Sequence, residues 1–392
     1  MVNKSLDTAI EEYVPRSVRI QEPIRKLETL REMGFRGLDD LIDLIAKEHI
    51  QFPILTNAHY ASLLDKDDPE DPLRKIVIPT EEEILRYVRR QGQFDTSGER
   101  TNTQAPGLQH KYAPTAIALV NALCASYCRF CFRKRIFMGD EEFYSTGRFP
   151  NKEAIRYLQD HREINTLLLT GGDAFMLDND TVRSLTGILS DPSLDHIRTV
   201  RFGTRMVVYQ PQRIDDELGQ ILQDFRDTTG KRVMVGTHVN HPREVTPETK
   251  DAFEHLLDHK IALYNQTVLL KGINDDPAVL YELFDKKLAF NDNRPYYLFH
   301  DRPVSGSEHM QVRLDDGLHI YSEVAKRMTG PHKPRYVMST KGGKMEIDSM
   351  HPTKPNVIIL KYHSAKDMSL TGKAVFYDLR ENNPFWYEPT VA

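Results

Sequence analysis

The chain is poor in cysteine: only three occur among 392 residues, alongside a single tryptophan. So few thiols exclude a disulfide framework and fit a reducing compartment. No apolar run reaches membrane-spanning length, and residues 1–10 lack the apolar core of a secretory leader. Neither charge sign dominates, since 52 Lys and Arg face 57 Asp and Glu for a formal net charge of -5. That balance gives no reason to expect a nucleic-acid surface. No internal repeat and no low-complexity segment stand out. These absences point to a globular, cytoplasmic protein with neither membrane nor nucleic acid as a partner. The length suits two domains, or one barrel-sized domain with extensions.

What the chain does have is concentrated. All three cysteines fall within Cys124-Ala-Ser-Tyr-Cys128-Arg-Phe-Cys131. A gap of three residues followed by a gap of two lets one loop bend three thiolates around a single metal centre. Three protein ligands leave one coordination position open for another molecule. A zinc site completed by His110 and three inert buried thiols are the competing readings. The spacing, with the aromatic Phe130 before the last cysteine, resembles the radical S-adenosylmethionine signature. That resemblance implies that Cys124, Cys128 and Cys131 hold a [4Fe–4S] cluster whose unique iron chelates S-adenosylmethionine.

Around this loop the apolar pattern changes character. The first hundred residues read as short helices: Ile24, Leu27, Leu30 and Met33 keep a helical period stopped by Gly34, and 38–48 forms a second helix. Thr80 and Glu83 make a capping-box pattern, while 95–107 reads as a polar linker. Beyond it, apolar runs at 116–123, 166–169, 199–203, 232–236, 261–268 and 295–299 alternate with amphipathic helices. Strand and helix alternating at this spacing predict right-handed βαβ units and a parallel sheet. Six units would build a partial α/β barrel. Polar motifs follow the strands at Gly171-Gly172-Asp173, Thr204-Arg205 and Thr237-His238, the rim where barrel chemistry sits. The tail reads as β, with strands at 335–340, 356–362 and 373–378. The expected division is a helical region over 1–107, a barrel over 108–330 and a β-containing extension over 331–392.

Read together, these motifs resemble the lysine 2,3-aminomutase family over most of the chain. The resemblance is carried by Asp68-Pro-Glu-Asp-Pro-Leu-Arg-Lys, Pro106-Gly-Leu-Gln-His-Lys-Tyr112, Leu167-Leu-Leu-Thr-Gly-Gly-Asp173 and Pro211-Gln-Arg213. It continues through Thr237-His-Val-Asn-His-Pro242, Asn265-Gln266, Arg294-Pro-Tyr-Tyr297 and Lys341-Gly-Gly-Lys344. It implies a partial (β/α)6 radical S-adenosylmethionine barrel with a helical N-terminal region and a C-terminal extension containing strands. It also implies an isomerase that uses pyridoxal 5'-phosphate to move the α-amino group of a free amino acid to the β-carbon. By resemblance Lys344 forms the imine with pyridoxal phosphate, and Lys111 and Tyr112 lie on its phosphate side. Gly171, Gly172, Asp173, Thr204, Arg205, His238 and Gln266 line the S-adenosylmethionine rim. Arg133 pairs with the substrate's α-carboxylate through a guanidinium fork, while Lys134 and Arg135 read as solvated charges. The chemistry further implies an electron donor such as a flavodoxin or ferredoxin, and a homo-oligomer is compatible with the family.

Several departures separate this chain from lysine-specific relatives. Thr115 stands where the family has a phosphate-side arginine. The lysine loop has fewer glycines and carries a second lysine, Lys341. The two aspartates that would hold lysine's distal ammonium are replaced by Arg302 and Ser339, with Asp301 one residue away. No cysteine follows Cys131, so the structural zinc of the family's prototype has no ligands here. A cation opposite Arg302 would be repelled, so the expected substrate is not lysine but an acidic or neutral polar amino acid such as glutamate. Two other readings stay open: a radical S-adenosylmethionine enzyme without pyridoxal phosphate, and a non-catalytic iron–sulfur or zinc protein.

Overall fold

The computed structural model describes residues 5–89, 93–136 and 148–389. It is a mixed α/β structure built on one large sheet. Near the start, two-residue strands β1 (Pro23–Ile24) and β2 (Thr56–Asn57) pair antiparallel among short helices. The large sheet opens with β3 (Thr103–Ala105), β4 (Leu108–Tyr112) and β5 (Thr115–Asn121). It continues through β6 (Thr166–Gly171), β7 (Thr199–Thr204), β8 (Arg232–Thr237) and β9 (Ala262–Leu269). Then come β10 (Asn293–His300), β11 (Arg335–Ser339), β12 (Gly343–Met350), β13 (Val357–Ala365) and β14 (Ala374–Asp378). These twelve strands lie side by side in sequence order.

From β5 to β11 every neighbouring pair is parallel, whereas both flanks are antiparallel. The parallel block holds seven strands, one more than the apolar runs assigned to the barrel predict. The seventh, β11, continues the ladder on β10 where a separate tail is expected. Parallel neighbours require crossovers, and helices supply them. Lys152–Asp160, Asn179–Leu189, Asp216–Thr229, Pro247–Asp258 and Leu314–Ala325 each turn an apolar face inward. The first four starts are capped by side chains, at Asn151, Asp178, Asp215 and Thr246, with Pro247 in the first turn of the fourth. Among the described residues no helix is long and apolar enough to cross a membrane.

Side chains link the two antiparallel flanks of the sheet. Lys111 on β4 donates to the carbonyl of Thr340, just past β11, and Lys366 reaches Asn102 Oδ1 at 3.4 Å. The stretch read as a linker takes part in these contacts. It carries β3 and a short helical turn, Glu99–Asn102, whose Glu99 is buried.

Candidate active site

The cysteine loop leaves the end of β5 and is tied down on both sides. Tyr127 N–H donates to Leu55 O at 2.8 Å and Arg129 N–H to Ile76 O at 2.8 Å, so the N-terminal helices cradle it. Gly172 and Asp173 N–H groups donate to the carbonyls of Asn121 and Leu123 at 2.9 and 2.7 Å. The glycine pair makes this approach feasible, because a Cβ on either residue would lie 2.1 Å from one of those carbonyl oxygens. Their closest neighbours are thus the loop itself.

All three cysteines are free and half-buried. Burial, with Asp173 and the other two thiols nearby, pushes the Cys124 thiol well up. Burial and Cys128 raise Cys131 to about 11. Cys128 Sγ lies 3.0 Å from the Tyr209 hydroxyl. Among the described residues no three His, Cys, Asp or Glu side chains converge on one ion position. His110 is committed elsewhere, its ring nitrogens meeting Tyr157 Oη at 3.0 Å and Ala113 O at 3.1 Å. A single zinc completed by His110 is therefore not assembled. What the loop offers a metal centre is its donor set, three cysteines within eight residues.

The rim motifs gather beside the loop. Asp173, buried at the end of β6, accepts from Thr204 Oγ1 at 2.7 Å, from Arg205 N–H at 2.6 Å and from Phe175 N–H at 3.0 Å. One carboxylate thus fixes the end of the next strand. Arg205 donates to Glu244 at 2.6 Å, and its guanidinium lies 4.7 Å from the Tyr209 ring centre and 5.6 Å from that of Phe130. Its Nε and Nη1 are buried without a partner, as is His238 Nε2. The His238 ring meets Phe130 edge-on at 5.5 Å. Burial and Arg205 hold that ring neutral. Buried donors left unpaired cost free energy, and an anionic group bound beside Cys128 would satisfy them. Gln266 sits on β9 in register with Tyr297, half-buried.

A second group of side chains surrounds Lys344. This lysine is the second residue of β12, opposite Ser339 on β11, and its Nζ lies 4.0 Å from the Tyr297 ring centre and 5.4 Å from that of Phe299. Burial first, then Arg201, Arg302 and Lys111, lowers its pKa to about 7. Burial and Arg302 likewise lower Lys111 to about 7. Tyr112's hydroxyl is buried beside Ser339 yet meets no partner at hydrogen-bond geometry, and burial raises it to about 12. Thr115 faces Tyr112 across the β4–β5 turn, so no arginine stands there.

Arg302 lies near this group, with Nη1 buried and unpaired. Asp301 turns toward Lys134 instead, where burial pushes its carboxyl well up. Arg302 and Arg133 each place the guanidinium carbon 4.7 Å from the Phe132 ring centre. Arg133 donates through Nε to Glu99 at 2.7 Å and through Nη1 to Thr170 Oγ1 and Gly171 O at 3.3 Å. Its Nη2 has no partner among the described residues. Burial opposes ionisation of Glu99, but Arg133 and Arg135 together hold its carboxyl low.

Two expectations need correction. Lys134 and Arg135 are buried, not solvated, and pair with Glu83 and Glu99 at 2.8 Å each. The capping box is only half formed: Glu83 N–H donates to Thr80 Oγ1 at 3.2 Å, while the Glu83 carboxylate serves Lys134. Glu99, Phe132, Glu83 and Arg201 were not readable as site residues, because each acquires its role from a partner far along the chain. Glu99's place in a buried Arg-Lys-Arg neighbourhood has only one sequence clue, an excess of cations after Cys131.

Comparison with known proteins identifies relatives of the chain. No family model matches the chain. A protein provisionally named L-lysine 2,3-aminomutase from Aquifex aeolicus is 37% identical over 341 residues, covering 86% of this chain and 87% of its own. An L-lysine 2,3-aminomutase from Methanococcus maripaludis is 33% identical, with 87% of this chain and 76% of the relative covered. A glutamate 2,3-aminomutase from Clostridioides difficile is 35% identical over 75% of this chain and 67% of its own. An α/β enzyme of the isomerase class is thereby defined. More narrowly, the chain belongs to the lysine 2,3-aminomutase family.

Proposed function

We propose that this protein is a radical S-adenosylmethionine, pyridoxal-phosphate-dependent 2,3-aminomutase acting on a free acidic amino acid, with glutamate the first candidate. The observation that carries the reading is the buried cluster of cations and aromatic rings around Lys344. Its amine has a pKa of about 7, so much of it is neutral and nucleophilic at physiological pH. Strands β5 to β10 are read as a partial (β/α)6 barrel that follows a helical region over 1–107, and the extension over 331–392 begins with β11, which continues the parallel ladder on β10. When bound, the [4Fe–4S] cluster with S-adenosylmethionine would supply a hydrogen-abstracting radical and pyridoxal phosphate would carry the migrating amino group.

The chain's own residues have separable tasks in this reading. Cys124, Cys128 and Cys131 hold the cluster, and Arg205 with His238 offers unpaired donors beside it. Gly171 and Gly172 keep the loop close, and Asp173 fixes Thr204 and Arg205, with Gln266 further along the rim. Lys344 would take pyridoxal phosphate, while Lys111 and Tyr112 would face its phosphate. Arg133 receives the α-carboxylate through its free Nη2 edge, and Arg302 receives the distal carboxylate. Both guanidinium groups pack on Phe132, so they can be no further apart than twice 4.7 Å. That spacing suits a short dicarboxylate. A reducing cytoplasm is the compartment assigned, and homo-oligomerisation is compatible with the fold.

Steady-state kinetics of the reconstituted enzyme with acidic, neutral and basic amino acids test this. A charge-assisted pair is worth about 1.5–3 kcal/mol, so Arg302→Ala should lower kcat/KM for the acidic substrate by about ten- to a hundredfold. Unchanged kcat/KM in Arg302→Ala, or wild-type turnover of lysine alone, would sink the substrate assignment.

A further inference from the structure

Away from Lys344, one surface feature touches the cysteine loop. A cleft of about 310 Å³ is lined by Arg19, Arg25, Leu123, Cys124, Tyr127 and Met176, among others. Apart from Cys124, no candidate cofactor or substrate residue lines it. Its centre is apolar, and Leu123, immediately before Cys124, is 47% exposed. The wall is firmly held: Val18 N–H donates to Met176 O at 2.7 Å, and Arg16 pairs with Asp178 and Asp180. Arg19 and Arg25 are exposed and form no ion pair among the described residues. Glu22 is the one acidic residue in the same segment.

We infer that this cleft, bounded by residues 18–25 and 123–127, is the docking surface for a small acidic one-electron carrier protein. The inference rests on the proposed cluster. Such a centre must be reduced from outside, because the chain's only three cysteines are all assigned to it. The cleft brings solvent to Cys124, a ligand sulfur, and therefore offers a short route for an electron. An apolar centre with a charged rim is the composition of a transient protein interface. The sign of the rim selects the partner. At a net charge of -5 the molecule as a whole repels an acidic carrier, so a local basic rim both attracts and orients it. In the step itself one electron leaves the carrier and the cluster passes from the 2+ to the 1+ state. With a flavin hydroquinone as the source, the resulting semiquinone exchanges any proton with solvent.

The test uses the reconstituted holoenzyme and the Arg19→Glu/Arg25→Glu variant, mixed anaerobically with flavodoxin hydroquinone. Semiquinone absorbance and the electron paramagnetic resonance signal of the reduced cluster follow the transfer. The variant should react about tenfold more slowly at low salt, and the wild-type rate should fall as salt rises. Reduction by dithionite and affinity for S-adenosylmethionine should be unchanged. Equal rates for variant and wild type would overturn the inference. So would weakened S-adenosylmethionine binding in the variant, which would make the cleft a small-molecule site. Wild-type protein reduced by dithionite, but by neither flavodoxin nor a [2Fe–2S] ferredoxin, would overturn it too. If no cluster forms or is reduced at all, the cofactor reading fails and the docking surface with it.

Discussion

Lys344 shows how much of its chemistry a residue takes from its neighbours. In water its ammonium would persist far above neutral pH, but an apolar wall and three other cations make the charge expensive here. An amine is protonated below its pKa and nucleophilic above it. Covalent capture of pyridoxal phosphate by the apo-protein should therefore rise through pH of about 7 and level off above it. Lys111→Ala removes one of the charges that depress this amine, so the inflection should move upward. Borohydride trapping and peptide mapping across a pH series would measure both, with label on Lys344 and not Lys341. An inflection unmoved by Lys111→Ala would mean that the two amines do not sense each other. The motif position of Lys344 was legible in the sequence; its depressed pKa was not, because Arg201 and Arg302 reach it only through the fold.

At the scale of elements, the meeting of the cysteine loop with the end of β6 decides whether the thiols are held. Two backbones pass there so closely that only hydrogen fits between them. Gly172→Ala is the informative change, since Gly172 does not need a positive φ and any effect is steric. An alanine Cβ 2.1 Å from the Leu123 carbonyl oxygen must push the loop away. The expected loss is about 1–3 kcal/mol of stability, with lower iron content after reconstitution although no ligand has changed. Thermal melts and iron assays check this, and wild-type values for both would show that the strand end and the loop are further apart. The other side of the loop is held by charge: Lys134 is fully buried on Glu83, where removing either partner would strand the other. A run of cations in sequence suggests a wet surface, and only packing from the helix Glu81–Arg89 reverses that.

Across the whole molecule, twelve strands adjoin in the order in which they occur, so each ladder forms between consecutive segments. Stability should be graded accordingly. Amides in β6, β7, β8 and β9 have neighbours on both sides and helices over them, and should exchange slowest. Edge strands β3 and β14 should exchange first, β3 having only three residues. Hydrogen exchange resolved by peptide would show the gradient; uniformly fast exchange through β7 and β8 would contradict the central ladder.

Sequence alone determined the elements whose signal is local. The cysteine loop is contiguous, the parallel strands announce themselves as apolar runs, and caps such as Thr246-Pro247 act within one turn. Family likeness singled out Lys344, Arg133 and Arg302 as candidates. Tertiary structure alone decided which charges lose water and which partner each one finds. Glu99 and Arg133 stand 34 residues apart in the chain and Glu83 and Lys134 stand 51 apart, yet both pairs close in the interior. It also made β12 a strand, carrying Lys344 to the wall of Tyr297. The reason is physical: hydrophobic period and capping act over a few residues, whereas desolvation and ion pairing depend on what long-range packing brings within a few ångströms.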